Sequence, residues 1–463
     1  TRGRCPTRSD RKIVQRNCPP GAYRMVTGDE IELFVNRLVP GGEGLAEVAG
    51  LKVFVPYAAP EERIRARVVK RKSDYAVAEI IQVVEPSPLR TEPRCQYYGQ
   101  CGGCQLQHIS YPGQLVIKKL LLNDALQRIG KIFVPVTNIA YKSSQWRYRN
   151  KTQYPVTQNT NDLKIGFYER RSHNLVSIAE CFLHPNKFDQ IRLEALKLFK
   201  GENGYDEKRH QGNIRHLVLR QGKEDEITVI VVTRTKKLPA KLAALADIPG
   251  VKSVVQNINP EKTNRIFGKE TKILFGSGFV KKVVLGREFR VSPTSFFQVN
   301  IPQAEELCRK VINAVAPTGT ESVLDLYSGV GMLSLILSGM VRKVTGVEID
   351  PIAVSDARIN TEWQGVKNAV FLEGDVKNLI GELNCFDVVV LDPPRKGCDI
   401  ATLSRIAALK PRTVVYVSCN PATLARDLAI LEEKGYLCER VEPVDMFPQT
   451  SHIETVATLQ RKI

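Results

Sequence analysis

The last third of the chain alternates short apolar runs with segments whose apolar residues recur at helical spacing. Such alternation is typical of a doubly wound parallel α/β sheet. Two β-like runs, around 437–444 and 453–459, predict an antiparallel pair at the edge of this sheet. Ligands of such sheets bind beyond the carboxyl ends of the strands, so we expect the chemistry there. The predicted parallel strands are 322–326, 343–348, 370–372, 387–391 and 413–417.

The N-terminal part has a different pattern. Between Met25 and Pro86, short β-rich runs separated by turn signals predict a small all-β module of barrel size, with strands at 31–39, 51–56, 63–70 and 75–84. In the run 63–68, arginines alternate with apolar residues, which places three arginines on one face of the strand. Such a stripe suits a phosphate backbone, and the alternative is a solvated outer face.

The middle of the chain begins with a Pro-rich linker at 85–88 and a cysteine-rich loop. An amphipathic helix is predicted from about Gln114 to Ile129, followed by a mixed α+β stretch to about residue 292. Basic and aromatic residues interleave in 146–151 and 167–171. This interleaving can supply phosphate contacts and stacking surfaces for unpaired bases, and it is equally compatible with an ordinary exposed strand.

The net charge of the chain indicates what kind of partner it binds. The 463 residues include 67 Lys and Arg against 49 Asp and Glu, a formal net charge of +18. This excess predicts a polyanionic partner, the alternative being a merely soluble basic protein. No apolar run approaches the roughly 18 residues that span a bilayer, so we expect no membrane partner and a cytoplasmic location. The Arg-rich residues 1–24 read as a basic disordered tail, and if they are a targeting remnant an organelle matrix is the alternative.

A glycine-containing turn, 325–331, follows the first predicted parallel strand and opens a helix. Ser334 stands where a dinucleotide fingerprint has its third glycine, which disfavours a dinucleotide. Glu348 ends the second strand, where an acidic side chain can accept both ribose hydroxyls of an adenosine. Asp375, after the third strand, is placed to reach the adenine. Together they predict an S-adenosylmethionine pocket, against the alternative of a nonspecific α/β turn.

Cys419 follows the fifth strand directly and precedes a helix, whose N-terminus is expected to lower the thiol pKa. A thiolate suits a reaction at C5 of a pyrimidine, because its addition at C6 creates an enolate able to attack a methyl donor. A base must then remove the C5 proton, and Glu454 is the candidate, ahead of His452. The motif 392–395, Asp-Pro-Pro-Arg, lacks the final aromatic residue of amino methyltransferases, which disfavours methylation of an exocyclic nitrogen.

The cysteine-rich loop places Cys95, Cys101 and Cys104 close together in sequence, the last two separated by two glycines. Cys181 is a candidate fourth ligand. Four thiolates suit zinc or an iron–sulfur cluster, and the spacing does not choose between them. Eleven cysteines with one tight cluster argue against a disulfide framework.

With these motifs assembled, the chain from Met25 onward resembles the RNA (uracil-5-)methyltransferase family, in its iron–sulfur branch acting on 23S ribosomal RNA. The segments 295–300 and 418–427 carry much of the resemblance. It implies a multidomain fold with an OB-like TRAM barrel, a central α+β domain with an iron–sulfur loop, and a Rossmann-like class I methyltransferase domain. The expected boundaries are 1–24 for the tail, 25–86 for the barrel, 87–292 for the central RNA-binding domain and 293–463 for the methyltransferase domain.

The resemblance also implies roles for individual residues. Cys419 matches the nucleophile and Glu454 the proton-abstracting base. The implied ligands of a 4Fe-4S cluster are Cys95, Cys101, Cys104 and Cys181, and the implied contacts of S-adenosylmethionine are Gln298, Tyr327, Glu348, Asp375 and Asp392.

The expected activity is methylation of C5 of one uridine in 23S ribosomal RNA through a covalent adduct between Cys419 and C6. The family implies a monomer that meets its RNA before ribosome assembly is complete. The alternatives are 5-methyluridine formation at another ribosomal site or in transfer RNA, and a non-catalytic RNA-binding or assembly factor.

Overall fold

The computed structural model describes residues 25–159 and 162–462, so the predicted tail at 1–24 lies outside the described residues. The chain divides into two compact units. The first runs to Leu121 and also includes Phe447–His452; the second contains Leu122–Met446 and the residues from Ile453 onward. No helix in the described part of the chain is long and apolar enough to cross a membrane.

The first unit contains a six-stranded, mainly antiparallel sheet in the order β1-β5-β6-β4-β3-β2. Most of its buried apolar residues form one core cluster. The strand β3 has no predicted counterpart, because its sequence EGLAEV has weak β propensity and is held by its neighbours β2 and β4. The strands are β1 Glu30–Val35, β2 Arg37–Val39, β3 Glu43–Val48, β4 Leu51–Pro56, β5 Glu62–Arg71 and β6 Tyr75–Glu85.

The predicted alternation in β5 is confirmed, since Ile64, Ala66 and Val68 are buried and the arginines between them face outward. Two of these arginines are paired with glutamates, however. Arg67 Nη2 lies 2.9 Å from Glu30 Oε1, and Arg63 lies 3.4 Å from Glu32 and 3.1 Å from Glu85. Glutamates of the same sheet therefore neutralise part of the positive charge of this arginine stripe.

The helix α1, Tyr111–Ala125, continues into a π-helical turn, Leu126–Gly130, and so matches the amphipathic helix predicted from Gln114 to Ile129. Within the first unit, Gln114 and Gln449 exchange two hydrogen bonds of 3.0 Å. These bonds join segments that are far apart in the sequence.

The second unit begins with a mixed sheet in the order β13-β12-β11-β10-β7-β8-β9, followed by a β-hairpin, β14–β15. The predicted mixed α+β stretch is thus a seven-stranded sheet. Its elements are β7 Lys151–Asn159, β8 Asp162–Tyr168, β9 Leu175–Ser177, α2 Asn186–Leu198, β10 Ile214–Gln221, β11 Ile227–Thr233, β12 Val251–Ile258, β13 Glu270–Gly276, β14 Val280–Val284 and β15 Arg287–Val291.

The third sheet has the order β18-β17-β16-β19-β20-β22-β21. Its first five strands are parallel, and β22 pairs antiparallel with β20 and β21, which confirms the predicted doubly wound sheet with an antiparallel edge. The elements are α3 Ile301–Val315, β16 Ser322–Leu326, α4 Met332–Ser338, β17 Lys343–Glu348, α5 Pro351–Trp363, β18 Ala369–Glu373, α6 Val376–Leu379, β19 Val388–Leu391, α7 Ile400–Ala408, β20 Thr413–Ser418, α8 Pro421–Glu433, β21 Tyr436–Val444 and β22 Glu454–Arg461.

Candidate active site

Most of the predicted site residues lie at the carboxyl edge of the parallel strands. Tyr327 follows β16, Glu348 ends β17, Asp392 follows β19 and Cys419 follows β20. Because Leu326 is in register with both Val347 and Leu391, these strand ends lie side by side. This is the edge at which sheets of this type bind ligands.

The glycine turn after β16 is closed by Glu348. Its Oε2 accepts a hydrogen bond from Gly329 N at 2.9 Å, and its Oε1 accepts from Ile349 N and Asp350 N at 2.7 and 2.8 Å. A Cβ added at Gly329 would meet no atom within 4 Å, so the backbone there is open to a ligand. A carboxylate has about four lone-pair sites, so Glu348 keeps acceptor capacity for ligand hydroxyls.

Tyr327 adopts a φ of 63°, a left-handed conformation that is strained for a residue with a side chain and often occurs at functional sites. Asp375 is exposed and caps α6 by accepting a hydrogen bond from Lys377 N at 3.0 Å. Burial raises the pKa of the Tyr327 phenol, and the Asp375 charge adds to the effect. The structure therefore places these two predicted contacts within electrostatic reach of each other.

The segment 292–300 carries Gln298 and is fixed on both sides by buried charges. Asp356 accepts hydrogen bonds from Ser292 N at 2.7 Å and from Ser295 Oγ at 2.7 Å. The Arg220 guanidinium donates to the carbonyls of both serines at 2.6 Å. Gln298 itself is buried, and its own carbonyl accepts from Asn150 Nδ2 at 3.1 Å.

The candidate nucleophile and base are brought together by the antiparallel pair β20–β22. Ser418 is in register with Thr455, so Cys419 and Glu454, each one residue further, face each other at the end of the ladder. Side chains in such opposed positions have Cβ atoms about 4.5–5.5 Å apart. Glu454 is buried and Cys419 is half-buried.

The charges of this pair are strongly coupled. The pKa of Cys419 is raised to about 11, mainly by burial and then by Glu454 and Asp392, while Arg395 opposes the rise through its charge and a hydrogen bond. Burial and Asp392 hold the pKa of Glu454 well above its usual value, again opposed by Arg395. Burial raises the pKa of Asp392 to about 6. The Cys419 thiol and the Glu454 carboxyl group thus favour their protonated forms, and Asp392 loses its proton less readily than an ordinary aspartate.

The pKa of the Cys419 thiol is raised in this structure, so burial and the neighbouring carboxyl groups outweigh the lowering expected from the helix N-terminus. A half-buried thiol beside two carboxyl groups is harder to ionise than one facing only a helix end. Arg395 is the group that favours the thiolate, and it is a site residue beyond those predicted from the sequence. The available signal was its position, since it ends the Asp-Pro-Pro-Arg motif directly beyond β19.

The helix that follows Cys419 anchors the loop that bears Arg395. Asn420 Nδ2 donates to the Arg395 carbonyl at 3.0 Å, and Thr423 Oγ1 donates to the same carbonyl at 3.2 Å. Arg426 Nη2 donates to the carbonyls of Lys396 and Cys398, each at 3.0 Å. The 418–427 motif therefore positions the 392–399 loop in addition to supplying the thiol.

Asp427 is the buried centre of this anchor. It accepts hydrogen bonds from Cys398 N at 2.8 Å and from Tyr416 OH at 2.6 Å. A Cβ at Gly397, whose φ is +71°, would lie 2.4 Å from Asp427 Oδ2, so the loop can approach this closely only with glycine there. The Cys398 thiol in turn lies 3.7 Å from the Tyr327 hydroxyl. One network thus joins the loop to a predicted cofactor contact.

Three of the predicted cluster cysteines lie in a tightly folded loop of the first unit. Cys95, Cys101 and Cys104 are half-buried, and Gly103 N donates a hydrogen bond of 3.4 Å to Cys101 Sγ. Tyr98 closes the loop by donating to the Gln105 carbonyl at 2.8 Å. An amide donor to sulfur fits the chemistry of an iron–sulfur site.

Cys181 belongs to the second unit. Its N–H donates to Asp189 Oδ2 at 3.1 Å, and Arg147 Nη1 donates to its carbonyl at 2.5 Å. Within residues 25–159 and 162–462, no three His, Cys, Asp or Glu side chains are grouped so as to hold a metal ion.

Comparison with known proteins defines the class first. Residues 323–409 match a methyltransferase domain model, and residues 375–462 match the family model for tRNA (Uracil-5-)-methyltransferase. The sheet order and the glycine turn agree with a class I S-adenosylmethionine-dependent methyltransferase fold.

The relatives extend this over nearly the whole chain. An uncharacterized RNA methyltransferase of Halalkalibacterium halodurans is 44% identical and covers 94% of this chain and 97% of its own. A second from Listeria innocua is 42% identical, covering 93% and 98%. The crystal structure of Pyrococcus abyssi tRNA (uracil-54, C5)-methyltransferase with S-adenosyl-L-homocysteine has a TM-score of 0.74 at 30% identity, covering 92% and 99%. The chain belongs to the RNA (uracil-5-)methyltransferase family and is an enzyme of methyl transfer.

Proposed function

We propose that this enzyme methylates C5 of one uridine in 23S ribosomal RNA through a covalent adduct between Cys419 and C6 of the base. The observation that carries the proposal is the opposition of Cys419 and Glu454 across the β20–β22 ladder, with Arg395 acting on both. A nucleophile and a base on either side of one reacting ring are what C5 methylation requires.

The residues divide the reaction into balanced steps. The Cys419 thiol releases its proton to solvent, its sulfur forms a bond to C6, and the C5=C6 electrons shift to leave an enolate at O4. When bound, S-adenosylmethionine would supply an electrophilic methyl group; C5 accepts it as the methyl–sulfur bond breaks, which leaves S-adenosylhomocysteine. Glu454, in its ionised form, then removes the C5 proton, the S–C6 bond breaks and returns its electrons to the Cys419 sulfur, and the C5=C6 double bond re-forms. Arg395 favours the thiolate at the start, and Glu348 with the open Gly329 backbone is placed to hold the cofactor.

The test uses the protein purified without oxygen, S-adenosylmethionine, and 23S ribosomal RNA carrying 5-fluorouridine. Fluorine cannot leave as a proton, so the enzyme is expected to stall as an RNA adduct that survives denaturation and maps to Cys419. Glu454→Gln should accumulate the same adduct on ordinary uridine, whereas the exposed-site control Glu433→Gln should not. Absence of any adduct, with RNA binding intact, would contradict the proposal.

Transfer RNA is the second candidate substrate. It is favoured by the Pyrococcus abyssi enzyme, which aligns over 92% of this chain and acts, by its name, on tRNA. Mixing unmethylated 23S and transfer RNA in one reaction, and mapping 5-methyluridine in each, decides between them. We expect 5-methyluridine in the 23S RNA. If 5-methyluridine forms only in transfer RNA, transfer RNA is the substrate instead.

The family's iron–sulfur branch is part of the same proposal. We assign the cluster to Cys95, Cys101, Cys104 and Cys181, and RNA binding to the β1–β6 sheet as a TRAM-like barrel. The thiol chemistry of the loop fits a cluster, and no catalytic step is assigned to it. Iron and sulfide analysis should find four of each per chain, lost in Cys101→Ser and kept in the control Cys385→Ser. Retention of iron in Cys101→Ser would exclude Cys101 as a ligand of the cluster. We further propose a monomer located in the cytoplasm.

A further inference from the structure

A cleft of about 470 Å³ opens in the second unit beside the segment that carries Gln298. Its walls come from 142–150 before β7, from 221–223 after β10, from β14, and from Asn300–Pro302 at the start of α3. The volume lies within the range of roughly 300–1,000 Å³ that is usual for ligand sites. The cleft is therefore large enough for one nucleotide.

The charge of the cleft selects an anion. Four lining side chains are basic and, among the described lining residues, none is acidic. Lys142 and Lys223 are exposed, whereas Lys282 is buried and its ammonium donates to the Gln221 carbonyl. Lys223 is partly screened, because its ammonium lies 3.6 Å from Glu288 outside the cleft. Lys142 is the least encumbered of the exposed cations.

A buried acceptor in the wall calls for a donor from a ligand. Asn300 is fully buried, and its Nδ2 donates to Ser143 Oγ at 3.0 Å and to the Met446 carbonyl at 3.2 Å. Its Oδ1 has no hydrogen-bond partner among the described residues. Leaving such an acceptor unpaired costs roughly 1–3 kcal/mol, which an N–H or O–H donor would recover.

An aromatic surface completes the site. Trp146 lines the cleft, is half-buried, and packs edge-on against Phe182 with ring centroids 6.2 Å apart. Bases stack on such rings without regard to sequence, each stack contributing roughly 1–3 kcal/mol. The cleft thus combines cations, a ring and an unpaired acceptor, which match the phosphate, base and donor groups of a nucleotide.

We infer that this cleft binds one unpaired RNA nucleotide next to the methylated uridine, with its phosphate at Lys142 and Lys223, its base on Trp146, and an N–H or O–H bonded to Asn300 Oδ1. The inference rests on the proposed RNA substrate. The cleft adjoins the predicted cofactor contact Gln298, because Asn300 is two residues beyond Gln298 and Asn150 in the same wall donates to the Gln298 carbonyl.

The test compares Trp146→Leu and Lys142→Ala with matched controls at exposed positions outside the cleft, Trp363→Leu and Lys367→Ala. The probes are an unmethylated 23S RNA transcript and an oligouridylate, titrated at several salt concentrations. Trp146→Leu should raise the RNA Kd about 10-fold. Lys142→Ala should raise it about 3-fold to 10-fold and lower the salt slope by about 1. The controls should bind like the wild type, and S-adenosylmethionine affinity should not change.

The failure of this inference and the failure of the proposed function give different results. Unchanged RNA affinity in both cleft variants overturns the inference, even where the fluorouridine adduct at Cys419 forms normally. Weakened RNA binding in these variants, without methylation or adduct on any uridine, supports the cleft and refutes the proposed function. Because Lys142 is exposed, its variant keeps the test valid if Trp146→Leu proves unstable.

Discussion

The six-stranded sheet of the first unit and the third sheet bury their strands in opposite ways. In β1 buried and half-buried residues alternate, whereas every residue of β19 and β20 is buried. A strand covered on both faces has no outer face for polar groups, so in the third sheet they collect where strands end. In β5 the outward arginines lie along the strand and are partly paired with glutamates. Substitutions at the strand ends of the third sheet should therefore affect chemistry, whereas substitutions of the outward arginines of β5 should affect only RNA affinity.

The strongest test of this contrast is Cys419→Ala. Removing the nucleophile at the strand end should lower the methylation rate by about 10⁴-fold to 10⁶-fold, while RNA and S-adenosylmethionine still bind. The control is Cys385→Ala, since Cys385 is exposed. Methylation that persists in Cys419→Ala would show that this edge of the sheet does not supply the nucleophile.

Asp427→Asn tests whether the loop next to the strand end must be held in place. Replacing this buried acceptor should lower turnover by about 10²-fold, because small displacements of catalytic groups are costly. It should also reduce the free energy of unfolding by about 1–3 kcal/mol. Tyr416→Phe removes one of the same hydrogen bonds and is expected to have a smaller effect on both. A loss of stability with turnover unchanged at saturating substrate would restrict Asp427 to a structural role.

The pH dependence of adduct formation tests the electrostatics of the edge. With the pKa of Cys419 raised to about 11, the reactive thiolate is the minor form at neutral pH. The single-turnover rate with fluorouridine RNA should therefore rise about 10-fold for each pH unit until the thiol ionises. Arg395→Gln should displace this profile towards higher pH, and Arg395→Lys should displace it less. A rate independent of pH from about 6 to 9 would contradict a protonated resting thiol.

How far the sequence predicts the molecule differs between the same two regions. The bounds of β16 and β17 agree with the predictions, because apolar runs between turn signals are local. The strand β3 was missed because its pairing, not its composition, makes it a strand. Cys419 and Glu454 were predicted individually, but their opposition depends on the β20–β22 register. The raised thiol pKa and the role of Arg395 depend on that packing, which no local pattern contains.

The smallest effect is expected on the outward face of β5. Arg65→Ala should change the free energy of unfolding by no more than about 0.5 kcal/mol, since surface substitutions are usually neutral. It should weaken RNA binding slightly and lower the salt slope by about 1. Titration of 23S RNA at several salt concentrations measures this, with Lys367→Ala, an exposed lysine outside this sheet, as the control. A loss of turnover at saturating RNA would show that Arg65 affects chemistry as well as affinity, and would contradict the proposed difference between the two sheets.

The two hydrogen bonds between Gln114 and Gln449 also bear on how the chain is synthesised. The N-terminal unit is completed by Phe447–His452, about 330 residues beyond its other residues. At translation rates of about 5–20 residues per second, that segment emerges roughly 15–65 s after the rest of the unit. During this interval the six strands have been made but lack their last contacts. Domains usually fold in the order of synthesis, whereas here the first unit to emerge is among the last to be finished.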